Sequence, residues 1–248
     1  MSSTTAAAAR QTTWLITGAS RGIGLELVRQ LLAAPSNLVI AACRAPSTAS
    51  ALADLKAGAK GALHVVQLDV ADFAGIRALP GVIAPILAGR GLDYLVNNAG
   101  ILKGDTALTL DAAVLLETLR TNTVGPALLT AACAPLLDAG GRKTVLNVSS
   151  GLGSIAGAGG FPGTGPRAVA SYSMSKAALN MFTYKLKMEK PEWVAITLAP
   201  GWVKTDLGGA DAALEVADSV RGILKVVTEA TVADSGKYLR WDGAVLPW

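Results

Sequence analysis

Trp14-Leu15-Ile16-Thr17 runs directly into Gly18-Ala19-Ser20-Arg21-Gly22-Ile23-Gly24, and apolar residues then recur at Leu25, Leu27, Val28, Leu31 and Leu32. A short apolar strand, a glycine turn and an amphipathic helix, in that order, form the first half of a βαβ unit. The glycine spacing is G-x-x-x-G-x-G rather than the commoner G-x-G-x-x-G, but the physics is similar. Without side chains at Gly18, Gly22 and Gly24, a pyrophosphate can approach the backbone. The helix start offers unpaired N–H groups and the positive end of the helix dipole. Ser20, Arg21 and Ile23 belong to the same turn. The plainer alternative is a tight strand-to-helix turn with no ligand.

The rest of the chain repeats the alternation of strand and helix. Strands are expected at residues 14–17, 38–42, 63–68, 92–96, 144–148, 194–198 and 237–240, and helices at 48–57, 72–87, 110–119, 123–137, 171–187 and 214–227. This predicts an α/β fold: a single-domain, doubly wound, mostly parallel seven-stranded sheet of the Rossmann type with helices on both faces. The domain is expected over residues 13–248, with 1–12 a disordered tail rich in Ser, Thr and Ala. Pro80 and Pro85 are expected to interrupt the helix at 72–87. Asn122 lies between two helices, where Pro126 makes a kink plausible.

Composition narrows the classes. Of 248 residues, 51% are hydrophobic and only 16% charged, which suits a parallel sheet buried on both faces. The net charge of +4 is spread without a Lys/Arg-rich run, so nucleic acid is not an expected partner. Cys43 and Cys133 sit in apolar segments and read as buried thiols of a reducing compartment, with a cytoplasmic location expected. The single His64 makes no metal site by itself. The longest uncharged run, residues 144–166, is too rich in Gly and Ser to cross a bilayer as a helix, so no membrane is expected either.

Strand ends carry the candidate binding groups. After the second strand comes Cys43-Arg44, where an NAD-binding fold would place an acid for the ribose 2′-OH. Arg44, with Arg21 in the glycine turn, is positioned to clamp a 2′-phosphate, which favours NADP(H) over NAD(H); the alternative is two surface arginines. Asp69-Val70 follows the third strand, with Asp69 placed to accept from an adenine amino group or simply to cap the next helix. The fourth strand leads into Asn97-Asn98-Ala99-Gly100, small enough for close backbone approach, with amides able to brace adjacent strands. Tyr172 and Lys176 lie four apart at the start of a helix, on one face. A phenol titrates near roughly 10, and an ammonium one turn away is expected to lower that value, tuning the tyrosine for proton transfer.

Taken together, residues 17–24, Asn97-Asn98-Ala99-Gly100, Asn122, Ser150, Tyr172-x-x-x-Lys176 and Pro200-Gly201 resemble the short-chain dehydrogenase/reductase family, in family order and over nearly the whole chain. The tail, with Trp202-Val203-Lys204-Thr205-Asp206-Leu207-Gly208-Gly209, Asp242-Gly243 and Leu246-Pro247-Trp248, is similar to the carbonyl reductases grouped with the insect sniffer protein and the bacterial C-factor, and to fungal polyketide ketoreductases. The resemblance implies Asn122, Ser150, Tyr172 and Lys176 as the catalytic set, with Ser149 the fallback for Ser150. In that set Tyr172 is the general acid, Ser150 bonds the carbonyl oxygen, and Lys176 also bonds the nicotinamide ribose. Asn122 holds a water linking Lys176 to solvent. Pro200, Gly201, Val203 and Thr205 are expected at the nicotinamide, Thr205 on its amide. Phe161, Trp202 and Leu207 are expected to line an apolar substrate pocket with Ser150 and Tyr172, and the glycine-rich segment 151–170 to form its rim. The implied activity is NADPH-dependent reduction of a hydrophobic ketone or aldehyde, with a small-molecule partner and no metal. A non-catalytic NADP(H) sensor or scaffold, or an alcohol dehydrogenase working toward oxidation, are the other readings. Family members occur as monomers, homodimers and homotetramers.

Overall fold

The computed structural model describes residues 11–158 and 169–248. Seven strands form one sheet in the order β3-β2-β1-β4-β5-β6-β7. They are β1 (Thr12–Thr17), β2 (Asn37–Cys43), β3 (Ala62–Gln67), β4 (Tyr94–Asn97), β5 (Thr144–Val148), β6 (Val194–Ala199) and β7 (Tyr238–Arg240). Every neighbouring pair is parallel. The helices are α1 (Gly22–Leu31), α2 (Ser50–Ala57), α3 (Phe73–Leu87), α4 (Ala112–Leu119), α5 (Gly125–Asp138), α6 (Ala170–Glu189) and α7 (Val216–Glu229).

Strand side chains alternate between two cores. Trp14, Ile16, Val39, Leu146 and Ile196 pack with Leu27, Val28 and Leu31 of α1 and Val220, Ile223 and Val227 of α7. Leu15, Ile40, Leu95, Val145 and Ala195 face the other way, onto Ile76, Leu79 and Ile83 of α3 and Leu129, Cys133 and Leu137 of α5. Each fully buried aliphatic side chain of this kind contributes about 1.5–3 kcal/mol. Two-sided burial is why the strands read as continuous apolar runs. Cys43 and Cys133 are both buried free thiols.

The sheet order places the site. From β1 the chain builds β2 and β3 to one side, then returns to build β4 to β7 on the other. The connections after β1 and β4 therefore diverge, and a crevice opens at their C-terminal ends. Gly18 and Ala99 flank it so closely that a Cβ on Gly18 would lie 2.9 Å from the Ala99 Cα.

Several expectations need correction. Pro80 and Pro85 do not interrupt α3, which runs unbroken through both. The buried stripe Ile76, Leu79, Ile83 and Leu87 holds the helix against the sheet, while Pro85 lies on the exposed side. Asp72, not Asp69, is the N-cap of α3, accepting from Ala74 N at 3.0 Å. The helix expected at 48–57 is a 3-10 turn (Pro46–Thr48) followed by α2. The kink near Asn122 is a π-helical turn (Arg120–Val124) joining α4 to α5, and Pro126 follows it at the start of α5. β1 begins at Thr12, so the strand reaches one residue into the expected tail. Residues 1–10 and 159–168, the latter half of segment 151–170 with Phe161 in it, lie outside the described residues.

Candidate active site

A cleft runs along the C-terminal ends of β1, β2, β4 and β5. It is lined by Gly18, Ser20, Arg21, Gly22 and Ile23 from the glycine turn, Arg44 after β2, Asp69 and Val70 after β3, and Asn98, Ala99 and Gly100 after β4. Gly18 and Gly22 have positive φ of 65° and 53°, which a side chain would strain. Gly24 is walled in: a Cβ there would sit 2.2 Å from Gly18 O and 2.7 Å from Asn98 Nδ2. The start of α1 has no side-chain cap and no acid in its first turn, so its N–H groups and dipole face the cleft uncompensated. The turn is held from below by Asn98, whose amide donates to Thr17 O at 2.9 Å. Thr17 Oγ1 in turn accepts from the backbone N–H of Asn98 and Ala99. Asn97 braces inward, donating to Asn147 Oδ1 at 2.8 Å and to Thr130 Oγ1 at 3.1 Å.

This cradle fits a dinucleotide carrying a 2′-phosphate. Close backbone, free helix N–H groups and two exposed arginines, Arg21 and Arg44, line one cleft, and the residue after β2 is Arg44 rather than an acid. Arg21 pairs with Asp206 at 3.2 Å, which ties the glycine turn to the loop after β6. Asp69 is exposed in the cleft and accepts from Ala71 N at 2.9 Å. The Thr205 hydroxyl is engaged within its own loop, accepting from Gly208 N at 3.1 Å and donating to Val203 O at 3.3 Å, while its methyl approaches Gly22. Pro200 lines the cleft. Gly201 and Val203 line the neighbouring cavity, which adjoins the cleft at Pro200 and Thr205.

Tyr172 and Lys176 are one turn apart on α6 and both are buried. The Lys176 Nζ donates to Val148 O at 2.8 Å and lies 5.7 Å from the centre of the Tyr172 ring. The expected lowering of the phenol by the ammonium is overturned. Burial pushes Tyr172 up to about 12, with the Ser150 hydroxyl, hydrogen-bonded to it, pulling the other way. Burial also lowers Lys176 to about 8. Desolvation disfavours both charged forms and is the largest cause of both shifts. At neutral pH the phenol therefore holds its proton and the lysine remains mostly an ammonium.

The two serines after β5 are sorted by their partners. Ser149 is buried and donates to Asn180 Oδ1 at 2.6 Å. Ser150 is half-buried, accepts weakly from Leu152 N at 3.3 Å, and is the one beside Tyr172. Asn122, on the π turn, accepts from Ile101 N at 2.9 Å and donates to Ile101 O at 2.8 Å and Ser175 Oγ at 3.0 Å. It approaches Lys176 across Gly100, where a Cβ would meet Asn122 Oδ1 at 3.3 Å and Lys176 Nζ at 3.6 Å.

A second cavity opens on the other side of Tyr172, sharing Ile23, Ser149, Tyr172, Pro200, Thr205 and Leu207 with the cleft. Its walls are largely apolar: Leu102, Leu152, Trp202, Leu207, Leu214 and Trp241 among them. Trp202 is fixed by donating Nε1–H to Gly208 O at 2.8 Å. The sequence reading missed Leu152, Leu214, Trp241 and Leu246 in this wall, and also Asn180. Asn180 lies four residues past Lys176, so the same-face spacing that paired Tyr172 with Lys176 would have found it.

The model of the short chain dehydrogenase family matches residues 12–213. The C-signal protein of Myxococcus xanthus is 40% identical over 63% of this chain and 93% of its own length. The norsolorinic acid ketoreductase of Dothistroma septosporum is 32% identical over 96% of this chain and 93% of its own. Among solved structures, the NADPH-bound carbonyl reductase from chicken fatty liver superposes with a TM-score of 0.90 at 37% identity, covering 96% of this chain and all of that one. The carbonyl reductase sniffer of Drosophila melanogaster does so with a TM-score of 0.89 at 34% identity, with the same coverage. By its motifs, its sheet order and these likenesses, the chain belongs to the short-chain dehydrogenase family.

Proposed function

We propose that this protein is an NADPH-dependent carbonyl reductase acting on hydrophobic ketones or aldehydes, aromatic and polyketide carbonyls included. The observation that carries the reading is the meeting of two cavities at Tyr172: a phosphate-suited cleft on one side, an apolar pocket on the other, with Ser150 beside the phenol. The carbonyl reductases and the ketoreductase that this chain resembles support the same direction.

NADPH, when bound in the cleft, supplies the hydride. Arg44 and Arg21 would hold its 2′-phosphate, Asp69 its adenine, and the start of α1 its pyrophosphate. The protein's part is position and proton supply. Ser150 donates its hydroxyl hydrogen to the substrate oxygen, orienting it and stabilising the negative charge that develops there. Tyr172 then gives its proton to that oxygen as general acid. Its raised pKa keeps the proton in place until charge builds on the substrate. As the phenolate forms, the Lys176 ammonium stabilises it. Asn122, across Gly100 from Lys176, would complete a water-borne route that restores the proton.

The test is a panel of ketones, aldehydes and quinones followed by loss of NADPH absorbance. Turnover of apolar members, abolished in Tyr172→Phe with NADPH affinity retained, supports the assignment. Unchanged reduction by Tyr172→Phe would remove the proton-donor role, and silence across the whole panel would return the chain to a sensor or scaffold.

A further inference from the structure

Resting on the carbonyl-reductase reading, we infer that Tyr238 on the last strand is a positioning residue for Ser150, held in place by Asn180 and by the segment 244–248. Ser150 lies beyond the sheet. The last ladder contact on β5 is Ser149 N–H to Leu198 O at 2.7 Å, after which the chain turns into a 3-10 turn, Gly151–Gly153. Its hydroxyl accepts only the long bond from Leu152 N, so the placement of its backbone must come from elsewhere.

Contacts to Tyr238, Asn180 and Pro247, all distant in sequence, hold the backbone of this turn. Tyr238, 1% exposed, donates its hydroxyl hydrogen to Ser150 O. Asn180 donates to Gly153 O at 3.1 Å while accepting from Ser149 Oγ, and its amide also hydrogen-bonds the Tyr238 phenol. Ser154 Oγ donates to Pro247 O at 2.7 Å. On the α6 side, beside Asn180, Gly153 is also pressed onto Lys176, where a Cβ would come within 2.9 Å of the lysine Cβ. The serine turn is therefore clamped between the catalytic helix and the last strand.

The clamp extends to Trp248, whose ring stacks on Tyr238 with centroids 5.3 Å apart and planes at 21° and meets Tyr184 edge-on at 6.3 Å. Segment 244–248 folds back along β7 through Arg240 N–H to Ala244 O and Leu246 N–H to Tyr238 O, both 2.8 Å. Ala156 N–H closes the loop by donating to Trp248 O at 2.8 Å. The terminal Leu246-Pro247-Trp248 thus acquires a role that no binding or catalytic assignment gave it. A phenol fixed at both its ring and its hydroxyl holds the Ser150 carbonyl, and with it the hydroxyl that must meet the substrate oxygen.

The experiment is a double-mutant cycle on kcat with an apolar ketone from the active panel. Tyr238→Phe keeps the ring and its stack on Trp248. It is expected to lower kcat about tenfold or more through misplacement of Ser150, with NADPH affinity by fluorescence unchanged. In a Ser150→Ala background the same change should alter kcat by less than about twofold, because there is no serine left to position. A purely structural tyrosine would lower activity by the same factor in both backgrounds. Trp248→Ala, at a partly exposed ring, should give a smaller loss with the same dependence on Ser150 and carries the cycle if Tyr238→Phe does not fold. Equal factors in both backgrounds, or no loss in either variant, overturn the inference while leaving the reductase reading intact. A wild-type protein that reduces no carbonyl overturns both.

Discussion

Lys176→Met is expected to make the protein more stable and catalytically dead. The lysine is 4% exposed, and burial draws its pKa from 10.5 to about 8. At about 1.4 kcal/mol per unit, keeping that ammonium charged at neutral pH costs the fold about 3 kcal/mol. Methionine has a similar reach and no charge to desolvate. The substitution forfeits the hydrogen bond from the ammonium to Val148 O, about 1.5 kcal/mol at the low end for a charged donor. The net gain is about 1.5 kcal/mol, or about 3–6 °C in Tm for a chain of this size. The sign with pH follows from the lowered pKa. Between about 8 and 10.5 the unfolded chain binds more protons than the native one, so wild-type stability rises with pH across that window, and below it the penalty is complete. Thermal melts without cofactor should therefore show Lys176→Met well above wild type at about pH 7, with the gap closing toward about pH 10. Tyr172, raised to about 12, makes stability fall as pH rises above its unfolded value of 10, but both proteins carry it and the comparison cancels it. A methionine variant that melts below wild type, or a gap that ignores pH, would refute the reasoning.

Gly24→Ala should destabilise the fold by about 1–3 kcal/mol, because its Cβ would press on Gly18 O and the Asn98 amide at 2.2 and 2.7 Å, neither of which can swing away. The same shift would disturb the glycine turn, so NADPH affinity by fluorescence titration should fall together with Tm; a variant with both unchanged would contradict the close approach described. Arg44→Ala should weaken NADPH binding about 10- to 100-fold, the worth of one charge-assisted contact to phosphate, and leave NADH binding unaffected. An unchanged ratio of the two affinities would remove Arg44 from the 2′-phosphate site.

Local order was legible in the sequence where one principle acted alone. Alternating burial on both faces made the strands readable as apolar runs, and the strand–glycine–helix junction at residues 14–24 set the direction of the sheet. The i, i+4 spacing of Tyr172 and Lys176 put them on one face of a helix, and α6 carries both. Pro80 and Pro85 misled because proline propensity is a local term. The packing of Ile76, Leu79, Ile83 and Leu87 onto the sheet overrides it. The π turn at Asn122 leaves no signature in residue spacing, so from sequence it is legible only as a kink.

The sharpest departure concerns charge. Spacing tells which groups are neighbours; it does not tell how much water is left around them. An ammonium one turn from a phenol lowers the phenol's pKa in a solvated site, yet in this buried one desolvation raises Tyr172 and lowers Lys176. That reversal bears on the proposed direction of the chemistry. A tyrosine that holds its proton at neutral pH is set to donate to an oxygen gaining negative charge, which is what reduction creates. Oxidation of an alcohol would need the phenolate first, and forming it in this pocket is uphill until the pH approaches the raised value. A pH profile of kcat in both directions discriminates: reduction should hold level through neutral pH, while oxidation should climb as pH rises toward the phenol's titration. An oxidative rate already at its plateau near about pH 7 would mean that the Tyr172 phenolate is stabilised in the working enzyme far more than the packing around it provides.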